Sequence, residues 1–290
     1  MFSGSYVAIV TPMGADGALD FDAWSGLLEF HLAQGTRGIV VGGTTGESAT
    51  LEDLELRELV VRAREQIKGR MQLLAGAGTS STAATVERAG WIGGLGVDAL
   101  LVVTPSYNKP TQEGLYLHYK AVAAASPVPV VLYNVPARTA VDLLPQTVAR
   151  LAQLPRIVAL KEAVADIGRV RELTAACGPG FDVLSGDDAT AREAVLAGAR
   201  GVISVTANVA PRCMSEVMDA ALAGKAEEAA RLGACLVALH ERLFLEANPI
   251  PVKWVLQQMG LIGPGLRLPL TQLSGKFHDR LREAMRAAGL

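Results

Sequence analysis

The chain has 290 residues, half of them hydrophobic, which is enough for one large core and a small appendage. The formal net charge is −2 and the basic residues are scattered, so the sequence offers no surface for nucleic acid or an anionic membrane. No apolar run reaches the roughly 18 residues of a membrane helix, and the first ten residues lack the features of a secretion signal. Cys177, Cys213 and Cys235 form no CxxC pair, and the four histidines form no ligand motif. We therefore expect reduced thiols, no metal site and a cytoplasmic location.

Short β-rich runs alternate with helical segments over residues 1–210. Eight near-continuous apolar runs, as expected of parallel strands buried on both faces, lie at 6–10, 38–41, 72–75, 99–103, 128–133, 157–161, 182–184 and 201–205. Amphipathic segments lie between them at 51–68, 83–93, 114–125, 145–154, 167–177 and 189–197. Eight units of similar length favour a closed TIM (β/α)8 barrel over an open doubly wound sheet, so the predicted fold class is α/β.

After Pro211 the strand signal stops. Residues of helical composition lie at 214–222, 226–246, 251–259 and 275–288, with breaks at 248–249 and 263–265. The chain thus divides into a barrel catalytic domain, 1–210, and a C-terminal helical region, 211–290. We expect this helical appendage to pack on the barrel and to assemble subunits.

In a TIM barrel the active site lies at the carboxyl ends of the strands. Polar residues concentrate at these ends, in the segments 42–48, 104–110, 133–139, 160–162, 185–188 and 204–208. The predicted mouth of the barrel is therefore where the candidate site residues meet.

Lys161 directly follows the apolar run Ile-Val-Ala-Leu, so an amine ends a buried strand. Burial disfavours the ammonium form and would lower the pKa of Lys161 from about 10.4 toward about 7–8, which leaves neutral amine as a nucleophile. The ordinary alternative is a strand-end lysine that reaches solvent or pairs with Glu162. The favoured interpretation is a Schiff-base lysine that reacts with a small 2-oxo acid.

Three more polar side chains follow strands 2 and 5. Tyr133 ends strand 5 and could move protons at the same mouth, although a tyrosine at a barrel rim is also ordinary. Thr44 and Thr45 lie in a glycine-rich turn whose N–H groups could hold a carboxylate. That turn lacks the GK[ST] of a P-loop, so nucleotide binding is not supported.

Charged side chains complete the predicted mouth. Arg138 follows Tyr133 after a proline-containing turn and could bind a carboxylate in a bidentate manner, with a surface salt bridge as its alternative. Asp187 and Asp188 are interpreted as helix-capping residues rather than as a pair of catalytic or metal-binding carboxylates.

Taken together, these segments resemble the dihydrodipicolinate synthase / N-acetylneuraminate lyase family of class I aldolases, over essentially the whole chain. The resemblance rests on GTTGES at 43–48, on YNVP at 133–136 with Arg138 and Thr139, and on Lys161 with Glu162. SGDD at 185–188 and NPIPVK at 248–253 add to it. The synthase branch of the family is the most similar.

The resemblance implies condensation of pyruvate with L-aspartate 4-semialdehyde by a homotetramer of tight dimers, without a cofactor. Lys161 would carry the pyruvate imine, and Tyr133, Thr44 and a neighbouring subunit's Tyr107 would form a proton relay. The same resemblance assigns substrate binding to Thr45 for the pyruvate carboxylate, Arg138 for the semialdehyde carboxylate, and Gly186 and Ile203 as pocket lining.

One departure concerns regulation. Many synthases of the family are inhibited by lysine at a dimer-interface pocket, but the family's acidic and aromatic residues there are replaced by Ala84 and Ser106. An effector ammonium thereby lacks the carboxylate partner that the resemblance implies. We therefore predict weak or absent inhibition by L-lysine.

Two other functions remain as alternatives. The first is another pyruvate-dependent class I aldolase that cleaves a sialic acid or a 2-keto-3-deoxy sugar acid; Arg138 and Tyr107 argue against it. The second is a non-catalytic ligand-sensing barrel, against which the presence of Lys161, Tyr133 and Thr44 argues.

Overall fold

Eight parallel strands close into a barrel in which each strand pairs with its neighbours in sequence and β8 pairs with β1. The computed structural model describes residues 1–290. The strands are β1 (Gly4–Ala8), β2 (Gly38–Val41), β3 (Gln72–Gly76), β4 (Ala99–Val103), β5 (Val130–Asn134), β6 (Ile157–Glu162), β7 (Asp182–Ser185) and β8 (Gly201–Ser204). The predicted TIM barrel is confirmed.

Three strand boundaries differ from the prediction by two residues. β1 begins at Gly4 rather than at 6, because Gly4 already pairs with Gly201 on β8. β5 begins at Val130 rather than at 128, because Pro129 has no N–H to donate to a ladder. β1 ends at Ala8 rather than at 10, where the N–H of Val10 donates to the side chain of Asn208 (3.0 Å) instead of to a strand.

Thirteen helices surround or follow the strands. They are α1 (Phe21–Ala33), α2 (Asp53–Ile67), α3 (Thr82–Gly93), α4 (Gln112–Ala125), α5 (Pro136–Thr139), α6 (Pro145–Leu151), α7 (Ile167–Cys177), α8 (Ala191–Leu196), α9 (Pro211–Leu222), α10 (Ala226–Gly233), α11 (Val237–Arg242), α12 (Ile250–Gln258) and α13 (His278–Ala288). Helix α1 was not among the predicted segments, and the predicted helix 226–246 consists of α10 and α11 joined by a 3₁₀ turn. No helix combines the length and the apolar character needed to cross a membrane.

The buried side chains form two separate cores. A cluster of 13 residues fills the barrel interior and takes alternate positions along each strand, such as Val131 and Tyr133 on β5. The larger cluster joins the outer faces of the strands to the helices. This alternation decides which strand-end residues point into the barrel and which point out toward the helices.

The C-terminal helices continue directly from the barrel. Helix α9 packs against α8 and β1, next to the last strand, and α10 packs on α9. Helix α12 lies over the 3₁₀ turn Thr206–Asn208 at the end of β8. The appendage therefore reaches the mouth of the barrel, while the division into 1–210 and 211–290 stays a prediction.

Candidate active site

Lys161 and Tyr133 are neighbours at the mouth of the barrel. They face each other in the register between β5 and β6, and alternation along the strands points both side chains inward. Lys161 is 5% exposed, and its Nζ lies 4.3 Å from the centroid of the Tyr133 ring. An amine and a phenol thus share one enclosed place, as the sequence predicts.

The outward-pointing residues next to this pair form a buried polar network. The amide of Asn134 donates to Glu162 (3.0 and 3.1 Å) and to Asp142 (2.7 Å). Arg169 binds both carboxylates, at 2.9 Å to Glu162 and 2.8 Å to Asp142. Burial raises the pKa of the Glu162 carboxyl, against the opposing hydrogen bond from Val164 and charge of Arg169. Glu162 therefore pairs with Arg169 and leaves the amine of Lys161 without a carboxylate partner.

Gly186 lies directly beside Lys161. Its N–H donates to the carbonyl oxygen of Glu162 (2.6 Å), and a Cβ at this position would lie 3.0 Å from both Lys161 Cε and Ala163 Cβ. Such a contact is tighter than ordinary packing, so the absent side chain leaves room for the lysine. Ile203, on β8, is 1% exposed and belongs to the same interior cluster as Tyr133.

The turn after β2 brings the two threonines to the site. Thr44 is half-buried and lines, together with Tyr133, a small cavity at the mouth of the barrel. Thr45 is buried, and its Oγ1 accepts a hydrogen bond from the side-chain amide of Asn248 (2.9 Å). A residue of the appendage thus contacts the predicted carboxylate-binding turn.

The same turn is fixed by a buried ion pair between Glu47 and Lys253 on α12, which we call the Glu47–Lys253 clasp. The two charged atoms lie 2.5 Å apart, and the side chains are 1% and 3% exposed. Lys253 Nζ also donates to Thr11 O (2.9 Å), and the other oxygen of Glu47 accepts from the N–H of Arg267 (3.1 Å). Burial lowers the pKa of Lys253, an effect that the charge of Glu47 opposes. Paired charges of this kind avoid most of the cost of burying either one alone.

Arg138 and Tyr107 are exposed at the rim. Arg138 takes part in no salt bridge, and its Nη2 donates to the carbonyl oxygen of Asn248 (3.4 Å). Tyr107 is 93% exposed and has a φ of 75°, which is rare for a bulky residue. The structure therefore brings together Lys161, Tyr133, Gly186 and Thr44, but leaves Tyr107 outside the cavity of its own chain.

The two aspartates after β7 have structural partners. Asp187 accepts from the N–H (3.0 Å) and the hydroxyl (2.7 Å) of Thr190, at the start of α8. Asp188 accepts from the N–H groups of Val205 and Thr206, both at 2.9 Å. Nowhere in the chain do three His, Cys, Asp or Glu side chains converge as a metal ion would require.

Sequence reasoning missed most of the supporting residues. Asn134, Asp142 and Arg169 surround Glu162 from separate segments and carry no spacing signal. Asn248 and Lys253 lie in the segment NPIPVK, which supports the family resemblance, but the sequence alone assigns neither of them a role. In the sequence, both are polar residues at an apolar helical segment. In the structure, Asn248 contacts Thr45 and Lys253 contacts Glu47.

A closed parallel barrel with a buried lysine and a tyrosine at its carboxyl end is the arrangement of a Schiff-base aldolase. The model of the dihydrodipicolinate synthetase family matches residues 1–288. A relative named 4-hydroxy-tetrahydrodipicolinate synthase, from Thioalkalivibrio sulfidiphilus, is 54% identical over all of this chain and 99% of its own.

Solved structures agree with this match. The crystal structure of the chloride-inhibited dihydrodipicolinate synthase from Acinetobacter baumannii, complexed with pyruvate, superposes with a TM-score of 0.98 at 48% identity, over 100% of this chain and 99% of that one. The enzyme from Cyanidioschyzon merolae with lysine bound gives 0.96 at 38% identity, with the same coverage. The chain belongs to the dihydrodipicolinate synthetase family.

The Glu47–Lys253 clasp predicts a large and specific stability effect. Lys253→Met leaves the Glu47 carboxylate buried without its cation, so the free energy of unfolding should fall by about 3–5 kcal/mol. Adding Glu47→Gln removes the unpaired charge and should recover much of the loss. Denaturant unfolding measures both. Lys225→Met, which removes an exposed lysine paired with Glu228 (3.1 Å), is the matched control and should change little. Equal losses in the two single lysine variants would contradict the assignment.

Gly186 yields a second prediction. Gly186→Ala places a methyl group 3.0 Å from Lys161 Cε and should lower kcat about ten- to a hundredfold by displacing the amine. The control is Gly180→Ala, where a Cβ would meet nothing within 4 Å. Steady-state kinetics and thermal unfolding of both variants make the comparison. Unchanged kcat in Gly186→Ala would show that the lysine does not need this space.

Proposed function

We propose that this chain condenses pyruvate with L-aspartate 4-semialdehyde, as a 4-hydroxy-tetrahydrodipicolinate synthase does, through an imine on Lys161. The observation that carries the proposal is the enclosed amine of Lys161 beside the Tyr133 ring, with no carboxylate neutralising it. The full-length relatives of the same name support the choice of reaction, and the pyruvate complex of the Acinetobacter baumannii enzyme supports the choice of the first substrate.

The covalent steps follow from amine and carbonyl chemistry. The neutral amine of Lys161 attacks the ketone carbon of pyruvate, and the resulting carbinolamine loses water to give a protonated imine. The imine acidifies the methyl group, and loss of a proton gives an enamine that attacks the aldehyde carbon. The amino group of the semialdehyde then displaces Lys161 from the imine, which closes the ring and frees the lysine.

Proton transfer is assigned to Tyr133 with Thr44. Tyr133 lies against the lysine, and Thr44 lines a cavity together with Tyr133, which supports a relay from Thr44 through Tyr133. Water leaves the carbinolamine only if its hydroxyl is protonated, and the methyl group must give up a proton. A phenol held beside the amine can serve both needs in turn.

Two side chains are assigned to the substrate carboxylates. Thr45, in the turn after β2, holds that of pyruvate, and Arg138 holds that of the semialdehyde. Arg138 suits this task because its guanidinium is at the rim and takes part in no salt bridge. Gly186 and Ile203 line the pocket beside the lysine.

We further propose a cytoplasmic homotetramer built from tight dimers, in which Tyr107 of one subunit completes the proton relay of its neighbour. The exposure and strained backbone of Tyr107 support this, because packing within its own chain does not account for an exposed tyrosine in a left-handed conformation.

Trapping of the imine tests the mechanism. Incubation with pyruvate and sodium borohydride should add one reduced pyruvate to Lys161, detected by peptide mass spectrometry, and Lys161→Ala should show no adduct. L-Aspartate 4-semialdehyde added before the reductant should deplete the adduct by turnover. An adduct that the semialdehyde leaves untouched would indicate another pyruvate-dependent aldolase, and no adduct would overturn the Schiff-base mechanism.

The response to L-lysine is a separate prediction. Ala84 and Ser106 offer no carboxylate and no aromatic ring, and Ser106 is hydrogen-bonded to Ser80 (3.1 Å). We therefore propose that an effector ammonium finds no ionic partner there. Initial rates with added L-lysine should stay near the uninhibited value, whereas half-inhibition below 1 mM, on the order of the affinity of an ion-paired site, would contradict this. The variant Ala84→Glu should increase the sensitivity.

A further inference from the structure

Asn248 contacts both residues to which the substrate carboxylates are assigned. Its side-chain amide donates to Thr45 Oγ1 (2.9 Å), and its backbone carbonyl accepts from Arg138 Nη2 (3.4 Å). It lies 6% exposed in the turn before α12, beyond the barrel strands. One residue of the appendage thus reaches across the mouth to two separate strand ends.

We propose that Asn248 is a positioning residue for pyruvate, acting through Thr45; this rests on the proposed function. A threonine hydroxyl has one proton to donate and two lone pairs that accept. The bond from Asn248 occupies a lone pair and is the one hydrogen bond that the Thr45 side chain makes in the structure. The hydroxyl proton therefore remains available, and the natural recipient is the carboxylate of pyruvate.

The other end of the same amide supports a functional role. Asn248 Oδ1 is buried and has no hydrogen-bond partner. The side chain of Asn248 therefore makes a single hydrogen bond within the protein, the one that it donates to Thr45.

The two contacts predict that substitution of Asn248 affects the binding of pyruvate and of the semialdehyde differently. Substitution of Asn248 removes the side-chain bond to Thr45 but keeps the backbone carbonyl that Arg138 contacts. Binding of pyruvate should therefore weaken, while KM for the semialdehyde should change little. A general loss of packing would instead lower thermal stability and alter both substrates together.

The measurement is the pyruvate concentration that half-saturates borohydride trapping, which needs no semialdehyde. For Asn248→Ala it should rise about fivefold, the equivalent of one neutral hydrogen bond, with full trapping at saturation. Thr45→Val, which removes the hydroxyl, should raise it at least as much, and the double variant should equal Thr45→Val alone. If Asn248→Ala does not fold, the pH dependence of the acidic variant below, measured relative to wild-type protein, still carries the test.

Asn248→Asp adds a readout that structural damage would not produce. Its ionised carboxylate can only accept, so it should capture the Thr45 proton and repel pyruvate. Once protonated, it can donate again as the amide does. The half-saturating pyruvate concentration of Asn248→Asp relative to Asn248→Ala should therefore fall as the pH is lowered toward about 5, approaching the carboxyl pKa.

Different outcomes would overturn the proposed function and the proposed role of Asn248. Wild-type protein that traps no pyruvate would overturn the proposed function, and this inference with it. Wild-type protein that traps pyruvate, with an unchanged half-saturation in Asn248→Ala, would overturn the inference alone. So would additive effects in the double variant, or a ratio between the acidic and alanine variants that does not depend on pH.

Discussion

The register between β5 and β6 is the constraint on which the candidate site depends. It sets Tyr133 opposite Lys161 and, one position on, Asn134 opposite Glu162. Because successive side chains alternate, the first pair points into the barrel and the second toward the helices. A one-residue slip would exchange the faces and destroy both. The hydrogen bonds of Asn134 and the ion pairs of Arg169 hold the register from outside, where charge can be satisfied. The amine of Lys161 inside the barrel is left without a carboxylate partner.

The appendage supplies side-chain contacts to the turn after β2 that the barrel strands do not make. The turn after β2 contains three glycines and is closed by backbone hydrogen bonds of its own, such as those from Gly46 and Ser48 to Gly43 O (3.0 and 3.2 Å). Two of its side chains are also held from the C-terminal side, Thr45 by Asn248 and Glu47 by Lys253. This support requires the burial of two charges, and the pair is stable while both Glu47 and Lys253 are present. The start of α12, rather than the first of the C-terminal helices, is therefore the part of the appendage that supports the candidate site.

The sequence was sufficient for the barrel because buried parallel strands are short, apolar and evenly spaced, and their carboxyl ends locate the site. It was insufficient for contacts between distant segments. Glu47 and Lys253 are 206 residues apart, and nothing in their local sequence names the partner. Cys213 and Cys235 likewise come within 3.5 Å through helix packing alone. Helix α1 was missed because its apolar residues are spread around the helix and a glycine interrupts it.

Tyr107 shows how strain and exposure bear on assembly. A left-handed conformation in a non-glycine residue costs on the order of 1–3 kcal/mol and persists where function or packing requires it. No packing within the chain requires it, since the side chain is 93% exposed. The segment around it is nevertheless fixed by two hydrogen bonds. The side-chain amide of Asn108 donates to Ser80 O (2.9 Å), and the N–H of Tyr107 donates to Thr139 O (3.4 Å). A rigid support that presents an exposed phenol is expected of a residue that acts outside its own chain. The exposure and the backbone of Tyr107 therefore support the proposed contact with a neighbouring subunit.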